Sequence, residues 1–235
     1  MAKTAAIVLA AGQGSRMKSD IHKQYLLLAE KPVLYYSLKV FEDSFVDEVI
    51  LMTGAGEVSY CRKEIVEKYG FHKVSHIAEG GRERYHSVFG GLQLLQNCEY
   101  VFIHDSVRPF LTEEILERAY EAVRRDQACV VGMPVKDTIK TADADGYAAD
   151  TPRRDLLWTV QTPQVFSLPL IKNAYAAFME QEEELLAQGV RITDDAMIVE
   201  RFTDTRIRLV EGSYENIKIT TPEDMIVAEA LRKRS

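Results

Sequence analysis

Apolar positions along the chain fall into two alternating patterns. Short continuous runs of strand length are separated by stretches in which apolar residues recur every three or four positions. The first run is Ala5-Ala6-Ile7-Val8-Leu9. Further runs at 46–52, 73–77, 100–103 and 128–135 predict four more strands, and 207–210 and 217–219 predict two short ones. Helical spacing marks 33–42, where Leu34, Leu38 and Phe41 share one face and Pro32 stands at the first helical position. It also marks 57–69, closed by Gly70, and 87–95 in spite of Gly90-Gly91. Thr112, followed by Glu113 and Glu114, opens the next helix, and helical spacing returns at 168–186, 194–201 and 222–232. Strands alternating with helices predict an α/β fold, with a mostly parallel twisted sheet flanked by helices.

One stretch breaks this alternation. Residues 136–157 are polar and short-period, with Asp143-Ala144-Asp145-Gly146 at the centre, which predicts a hairpin about an Asp-Gly turn. It carries too few apolar residues to form a core, so the sequence predicts an arm projecting from a single domain spanning 1–235. No internal repeat or linker is visible.

Composition narrows the function classes. Basic residues number 29 and acidic residues 36, a formal charge of −7, which argues against a nucleic-acid partner. No apolar run reaches the length of a membrane span, and the N-terminus lacks signal-peptide character, so a cytoplasmic location with no membrane partner is expected. Cys61, Cys98 and Cys129 are widely spaced beside apolar runs and read as reduced packing residues. The histidines at 22, 72, 76, 86 and 104 show no metal-ligand spacing and read as surface or packing residues.

Candidate chemistry begins where the first strand ends, in Ala10-Ala11-Gly12-Gln13-Gly14-Ser15-Arg16-Met17. Glycines at alternate positions let backbone N–H groups approach an anion, and Arg16 and Lys23 add positive charge. A dinucleotide fingerprint would need a third glycine and an acid after the second strand. A P-loop would need Gly-Lys-Ser/Thr. Neither pattern is present. A phosphate cradle of another kind and a structural turn both remain open. Asp105, ending the strand at 100–103, emerges where open α/β sheets bind ligands and could ligate the Mg²⁺ of a nucleoside triphosphate, or cap a turn. Gly80-Gly81-Arg82-Glu83-Arg84 before Ser87 is a candidate anion or base contact, or a solvated turn. The polar stretches Gln161-Thr162-Pro163-Gln164, Thr193-Asp194-Asp195-Ala196 and Asn216-Ile217-Lys218 read singly as turns and together as a site for a hydroxylated, phosphorylated substrate.

These motifs, with Lys23-Gln24-Tyr25, His104-Asp105-x-x-Arg108-Pro109 and Pro134-Val135-x-Asp137-Thr138-Ile139-Lys140, resemble the 2-C-methyl-D-erythritol 4-phosphate cytidylyltransferase family of the non-mevalonate isoprenoid pathway. The resemblance runs from Ala5 to about Ala230 and implies a Rossmann-like nucleotidyltransferase fold. It implies CTP and a polyol phosphate as substrates, with CDP-methylerythritol and pyrophosphate as products. By resemblance, Ala10, Ala11, Gly12, Gly14, Ser15, Gly81, Arg82 and Ser87 bind CTP. Arg16 and Lys23 stabilise charge at the α-phosphate, and Asp105 holds Mg²⁺. Lys218 and Arg154 would position the polyol phosphate, with Thr138, Thr162, Thr193 and Asp194 beside it. The arm would reach across a twofold axis of a homodimer, so that Thr138 and Arg154 serve the partner's site. Ser106-Val107 after Asp105 is a departure shared with the sister ribitol-5-phosphate cytidylyltransferases. That activity, and a non-catalytic nucleotide-binding module on the same fold, stand as alternatives.

Overall fold

A computed structural model describes residues 3–12, 17 and 21–234. The first strand, β1 (Thr4–Ala10), is buried throughout. After the opening loop come a 3₁₀ turn at Lys23–Tyr25 and a two-stranded ribbon, β2 (Leu27–Leu28) with β3 (Lys31–Pro32). Helix α1 (Val33–Asp43) leads to β4 (Glu48–Thr53). Pro32 is the residue capping α1 rather than its first helical residue, because it is still paired with Leu27 in the ribbon. A helical turn, α2 (Val58–Tyr60), widens into a π-helical stretch at Cys61–Glu67 and precedes β5 (Val74–Glu79). Gly70 follows at φ +68, a conformation open to glycine at no steric cost. Then come α3 (Arg84–Leu94), β6 (Tyr100–Asp105), α4 (Glu113–Asp126) and β7 (Ala128–Pro134). The hairpin strands are β8 (Thr141–Ala142) and β9 (Ala148–Asp150). The chain ends with β10 (Trp158–Ser167), α5 (Leu168–Ala187), α6 (Asp195–Phe202), β11 (Arg208–Glu211) and α7 (Pro222–Arg232).

Seven strands form the main sheet in the order β11-β7-β10-β6-β1-β4-β5. All neighbours are parallel except β10, which runs antiparallel between β6 and β7. The sequence reading missed β10 because Thr162-Pro163 interrupts it. Proline cannot donate to a ladder, and the pairing with β7 shifts register between Val160 and Gln164 to accommodate it. In the opposite sense, 217–219 is not a strand. Its apolar residues anchor a loop in which Ile219 N–H donates to Val107 O at 2.9 Å.

Alternate residues of the central strands face two cores. Ala6, Val8, Phe102 and Val131 pack against Leu34, Leu38 and Phe41 of α1 and Leu116 and Val123 of α4. Ile7, Ile103, Val130 and Phe166 pack against Val88 and Leu92 of α3, Tyr175 and Phe178 of α5, and Val199 of α6. The hairpin turn forms as expected: Gly146 takes φ +86, and Asp143 Oδ1 accepts from the amides of Asp145 and Tyr147. Residues 141–150 are all exposed.

The successive glycines that weakened the prediction of α3 differ in what surrounds them. A Cβ on Gly91 would lie 2.9 Å from Ile7 Cγ2, whereas one on Gly90 would meet only the flexible end of Met52 at 3.4 Å. Gly91 therefore lets α3 settle directly on β1. We expect Gly91→Ala to lose about 1–3 kcal/mol of stability through overpacking. Gly90→Ala should hold or gain stability by up to about 1 kcal/mol of helix propensity. Urea denaturation midpoints of the two variants check this.

Candidate active site

Strand order reverses beside β1: β4 and β5 lie on one side of it, and β6, β10, β7 and β11 on the other. Ligands of open α/β sheets bind outside the carboxyl ends of strands at such a reversal. A cleft of about 970 Å³ opens there. It is lined by Ala11 and Gly12 after β1, Gly54 after β4, Gly80 and Gly81 after β5, and Asp105 at the end of β6. Lys23, Arg82, Arg84, Ser87 and Lys218 complete the wall.

Close backbone approach shapes this floor. A Cβ on Gly80 would sit 2.4 Å from the Ala11 Cβ and 2.6 Å from Ser87 Oγ, so only glycine allows the two loops to touch. Ser87, buried on α3, accepts from Gly81 N–H at 3.1 Å and holds the glycine loop against the helix start.

Asp105 is the electrostatic centre. Its carboxylate is buried, with Arg84 Nε donating to Oδ1 at 3.2 Å and Lys218 Nζ donating to Oδ2 at 2.7 Å. Burial alone would raise this carboxyl's pKa. The charges of Arg84, Lys218 and Arg108 outweigh it and hold the group well below the usual carboxylate range. Arg84 also forms a two-pronged pair with the fully buried Asp195 at 2.8 and 2.9 Å. Burial opposes charge on this guanidinium, but Asp195 and Asp105 more than compensate and keep it protonated. Tyr175 donates to Asp195 Oδ1 at 2.6 Å. Gln164 Oε1 accepts from the amides of Asp195 and Ala196, and its Nε2 donates to Asp194 Oδ2 at 2.9 Å.

Lys218 reaches Asp105 because its loop is strapped down by side chains. Asn216 Nδ2 donates to Gln161 Oε1 and to Thr162 O, and Arg108 Nη1 donates to Asn216 O at 2.8 Å. Thr162 Oγ1 accepts from Asp105 N–H at 3.1 Å and lies 3.0 Å from His104 Nδ1. His104 is fully enclosed, and burial pulls its pKa down to about 3, so the imidazole is a neutral packing residue.

The structure thus gathers Ala11, Gly12, Lys23, Gly81, Arg82, Ser87, Asp105 and Lys218 on one cleft, with Ala10 buried immediately behind at the end of β1. Gly14, Ser15 and Arg16 lie outside the described residues. Thr162 is buried behind Asp105 and supports it from the back. Asp194 caps α6 through Met197 N–H, and the exposed Thr193 hydroxyl points at Met197 Sδ, 3.9 Å away; neither lines the cleft. Thr138 and Arg154 sit on the exposed arm, where Arg154 Nη1 donates to Lys136 O, and do not line this chain's cleft. Sequence reasoning named Asp195 and Gln164 only within polar stretches, without a role of their own, and did not name Tyr175. Arg84 was visible only as one of two arginines after a glycine pair. His22, read as a surface or packing residue, lines the cleft.

The residues present suit a divalent cation of the Mg²⁺ type. Asp105 supplies one ionised carboxylate, and such a cation takes its remaining ligands from phosphate oxygens and water. Lys218, its exposed partner, can give way on a flexible stem. Among the described residues no helix is long and apolar enough to cross a membrane.

Comparison with known proteins places the chain in a family. Residues 4–234 match the family model of 2-C-methyl-D-erythritol 4-phosphate cytidylyltransferase. The chain is 53% identical over 224 residues to the enzyme of that name from Lachnospira eligens, covering 95% of this chain and 96% of the relative. It is 49% identical over 231 residues to that of Lachnoclostridium phytofermentans, covering 98% and 97%. The crystal structure of a 4-diphosphocytidyl-2C-methyl-D-erythritol synthase from Anaerococcus prevotii superposes with a TM-score of 0.84 at 36% identity, covering 99% of this chain and 97% of that one. With nearly its whole length matched in sequence and in fold, the chain belongs to the 2-C-methyl-D-erythritol 4-phosphate cytidylyltransferase family.

Proposed function

We propose that the chain transfers a cytidylyl group from CTP to 2-C-methyl-D-erythritol 4-phosphate, releasing pyrophosphate, as a step in isoprenoid precursor synthesis. The observation that carries this reading is the ionised Asp105 carboxylate at the cleft floor, flanked by Lys218 and facing the glycine loops and Lys23. A triphosphate brings several negative charges. This cleft offers backbone amides of two glycine loops, three or more cationic side chains, and one carboxylate fit to share a metal with phosphate oxygens.

The reaction is an in-line displacement. An oxygen of the polyol phosphate attacks the α-phosphorus of CTP, a new phosphorus–oxygen bond forms, and the bond to the β-phosphate breaks, with its electrons leaving on pyrophosphate. No covalent enzyme intermediate is required, so positioning and charge stabilisation carry the rate. Lys23 and Arg16 meet the charge that grows on the α-phosphoryl and leaving oxygens. Lys218, once displaced from Asp105, contacts the polyol phosphate. A Mg²⁺ held by Asp105 would neutralise triphosphate charge and orient it. Free thiols at Cys61, Cys98 and Cys129 suit a reducing compartment and support a cytoplasmic location.

The arm supports a second part of the proposal. Ile139, Tyr147, Leu156 and Val160 are exposed apolar residues on or beside it, and the Thr138 and Arg154 it carries stand apart from the cleft of their own chain. We infer a homodimer in which each arm covers its partner, and in which Thr138 and Arg154 complete the partner's polyol phosphate site.

Pyrophosphate release should be seen with CTP and 2-C-methyl-D-erythritol 4-phosphate and not with ribitol 5-phosphate. The reverse preference would assign the sister activity, and CTP binding without turnover would indicate a binding module. Lys23→Ala and Arg16→Ala should each lower kcat by roughly 10²–10³-fold, as for loss of a charge-stabilising donor. Near-wild-type turnover in either would refute that role. Arg154→Ala should mainly raise KM for the polyol phosphate. Mixing Arg154→Ala with Lys23→Ala protein should restore activity through hybrid dimers that hold one intact site. A monomeric sedimentation mass would end the dimer proposal.

A further inference from the structure

The cleft wall that carries Lys23 is held by a residue outside every motif singled out in the sequence. Glu57 stands at the turn after β4 and caps α2: its own N–H donates to Gly54 O at 3.1 Å, and its carbonyl accepts from Cys61 N–H at 2.9 Å. Its carboxylate points back across the cleft edge to the other side of the opening loop. Oε1 lies 2.5 Å from His22 Nδ1. Oε2 accepts from the Tyr25 hydroxyl at 2.7 Å and from Gly54 N–H at 3.1 Å. A Cβ on residue 54 would fall 2.7 Å from that same Oε2, so the glycine makes room for the carboxylate.

These contacts grip the chain on both sides of Lys23. His22 is bound on one side and Tyr25 on the other, and the Tyr25 ring packs edge-on against Tyr60 at 4.9 Å. Gln24 between them is buried and donates Nε2 to Ala10 O at 2.7 Å, tying the turn to the end of β1. The turn closes through Tyr25 N–H to His22 O at 2.8 Å. His22 is held at φ −60 and ψ 136. That is the extended geometry a proline ring would fix covalently, whereas a histidine backbone is free over the whole β region.

We propose that Glu57 is a positioning residue for the transfer reaction: by tethering His22 and Tyr25 it fixes the backbone from which Lys23 reaches the α-phosphate. The inference rests on the role given to Lys23 above. A side chain that must meet developing charge loses rate steeply when its origin is displaced or dispersed, since an error near 1 Å costs on the order of a hundredfold. The tether acts on the transition-state contact and not on the polyol phosphate, so its loss should appear in kcat.

The test uses the full chain, with kcat and KM for both substrates from pyrophosphate release and a melting temperature for each variant. His22→Ala removes the tether at one point without disturbing Tyr25 or Gly54. It should lower kcat on the order of tenfold to a hundredfold, with the KM for polyol phosphate and the melting temperature little changed. His22→Pro, which fixes the same φ without any side-chain partner, should recover most of that loss. Glu57→Ala should lower kcat at least as far as His22→Ala. If it does not fold, the two His22 variants still decide. A wild-type kcat in His22→Ala, or a His22→Pro no better than His22→Ala, overturns the proposal. Lys23→Ala measured alongside separates the two ideas. If it keeps its turnover, the role of Lys23 itself is wrong. If it is crippled while His22→Ala is unaffected, only the tether is wrong.

Discussion

The Asp105 carboxylate is taken out of water at the floor of the cleft, and a buried charge is stable only where opposite charge stands close by. Lys218, Asp105, Arg84 and Asp195 form a chain of alternating sign, each linked to the next by contacts of 2.7–3.2 Å. Four separate parts of the fold supply its members: the loop after β11, the end of β6, the first residue of α3, and the first residue of α6. Five buried polar residues behind the cleft serve this chain. Tyr175 and Gln164 support Asp195, Thr162 holds the backbone of Asp105, and Asn216 with Arg108 fixes the loop that presents Lys218. The chain also sets the charge state of the site, because neighbouring cations keep Asp105 ionised despite its burial.

Around that electrostatic centre the cleft is built by close packing of backbone. Gly80 lets the loops after β1 and β5 touch, Gly54 admits the Glu57 carboxylate, and Gly91 seats α3 directly on β1. These are fixed distances between secondary-structure ends, and they suit a reaction in which the protein supplies orientation and charge while the substrates supply the bonds that change. Outside this packing stand the exposed Lys218 side chain and an arm whose residues 141–150 are all exposed.

Much of this could be read from the sequence. The alternation of apolar runs with helical spacing gave the α/β class, and the strand ends at Gly12, Gly80 and Asp105 were located to within a residue or two. Where reading failed, the cause was physical. β10 contains Pro163 and four polar residues between Thr159 and Gln164, a pattern that reads as a turn when viewed alone. It is a strand because β6 and β7 lie on either side and satisfy its backbone. The stretch 217–219 has strand composition, yet side-chain amides of Asn216 and Gln161 hold the loop before it in place of a ladder.

The sequence by itself determined the class of fold and marked the loops after the first, third and fourth strands as candidate ligand contacts, because these depend on local pattern and residue chemistry. Tertiary structure alone decided which charges meet. Asp195 looked like one more turn residue, yet its partner Arg84 stands 111 positions earlier. Glu57 looked like an ordinary helix start, and it clasps His22 from 35 residues away. Thr138 and Arg154, expected from the resemblance to serve a partner's site, stand apart from this chain's cleft on an exposed arm. Distances between side chains so far apart in sequence are set by how helices pack on the sheet, and no local pattern encodes them.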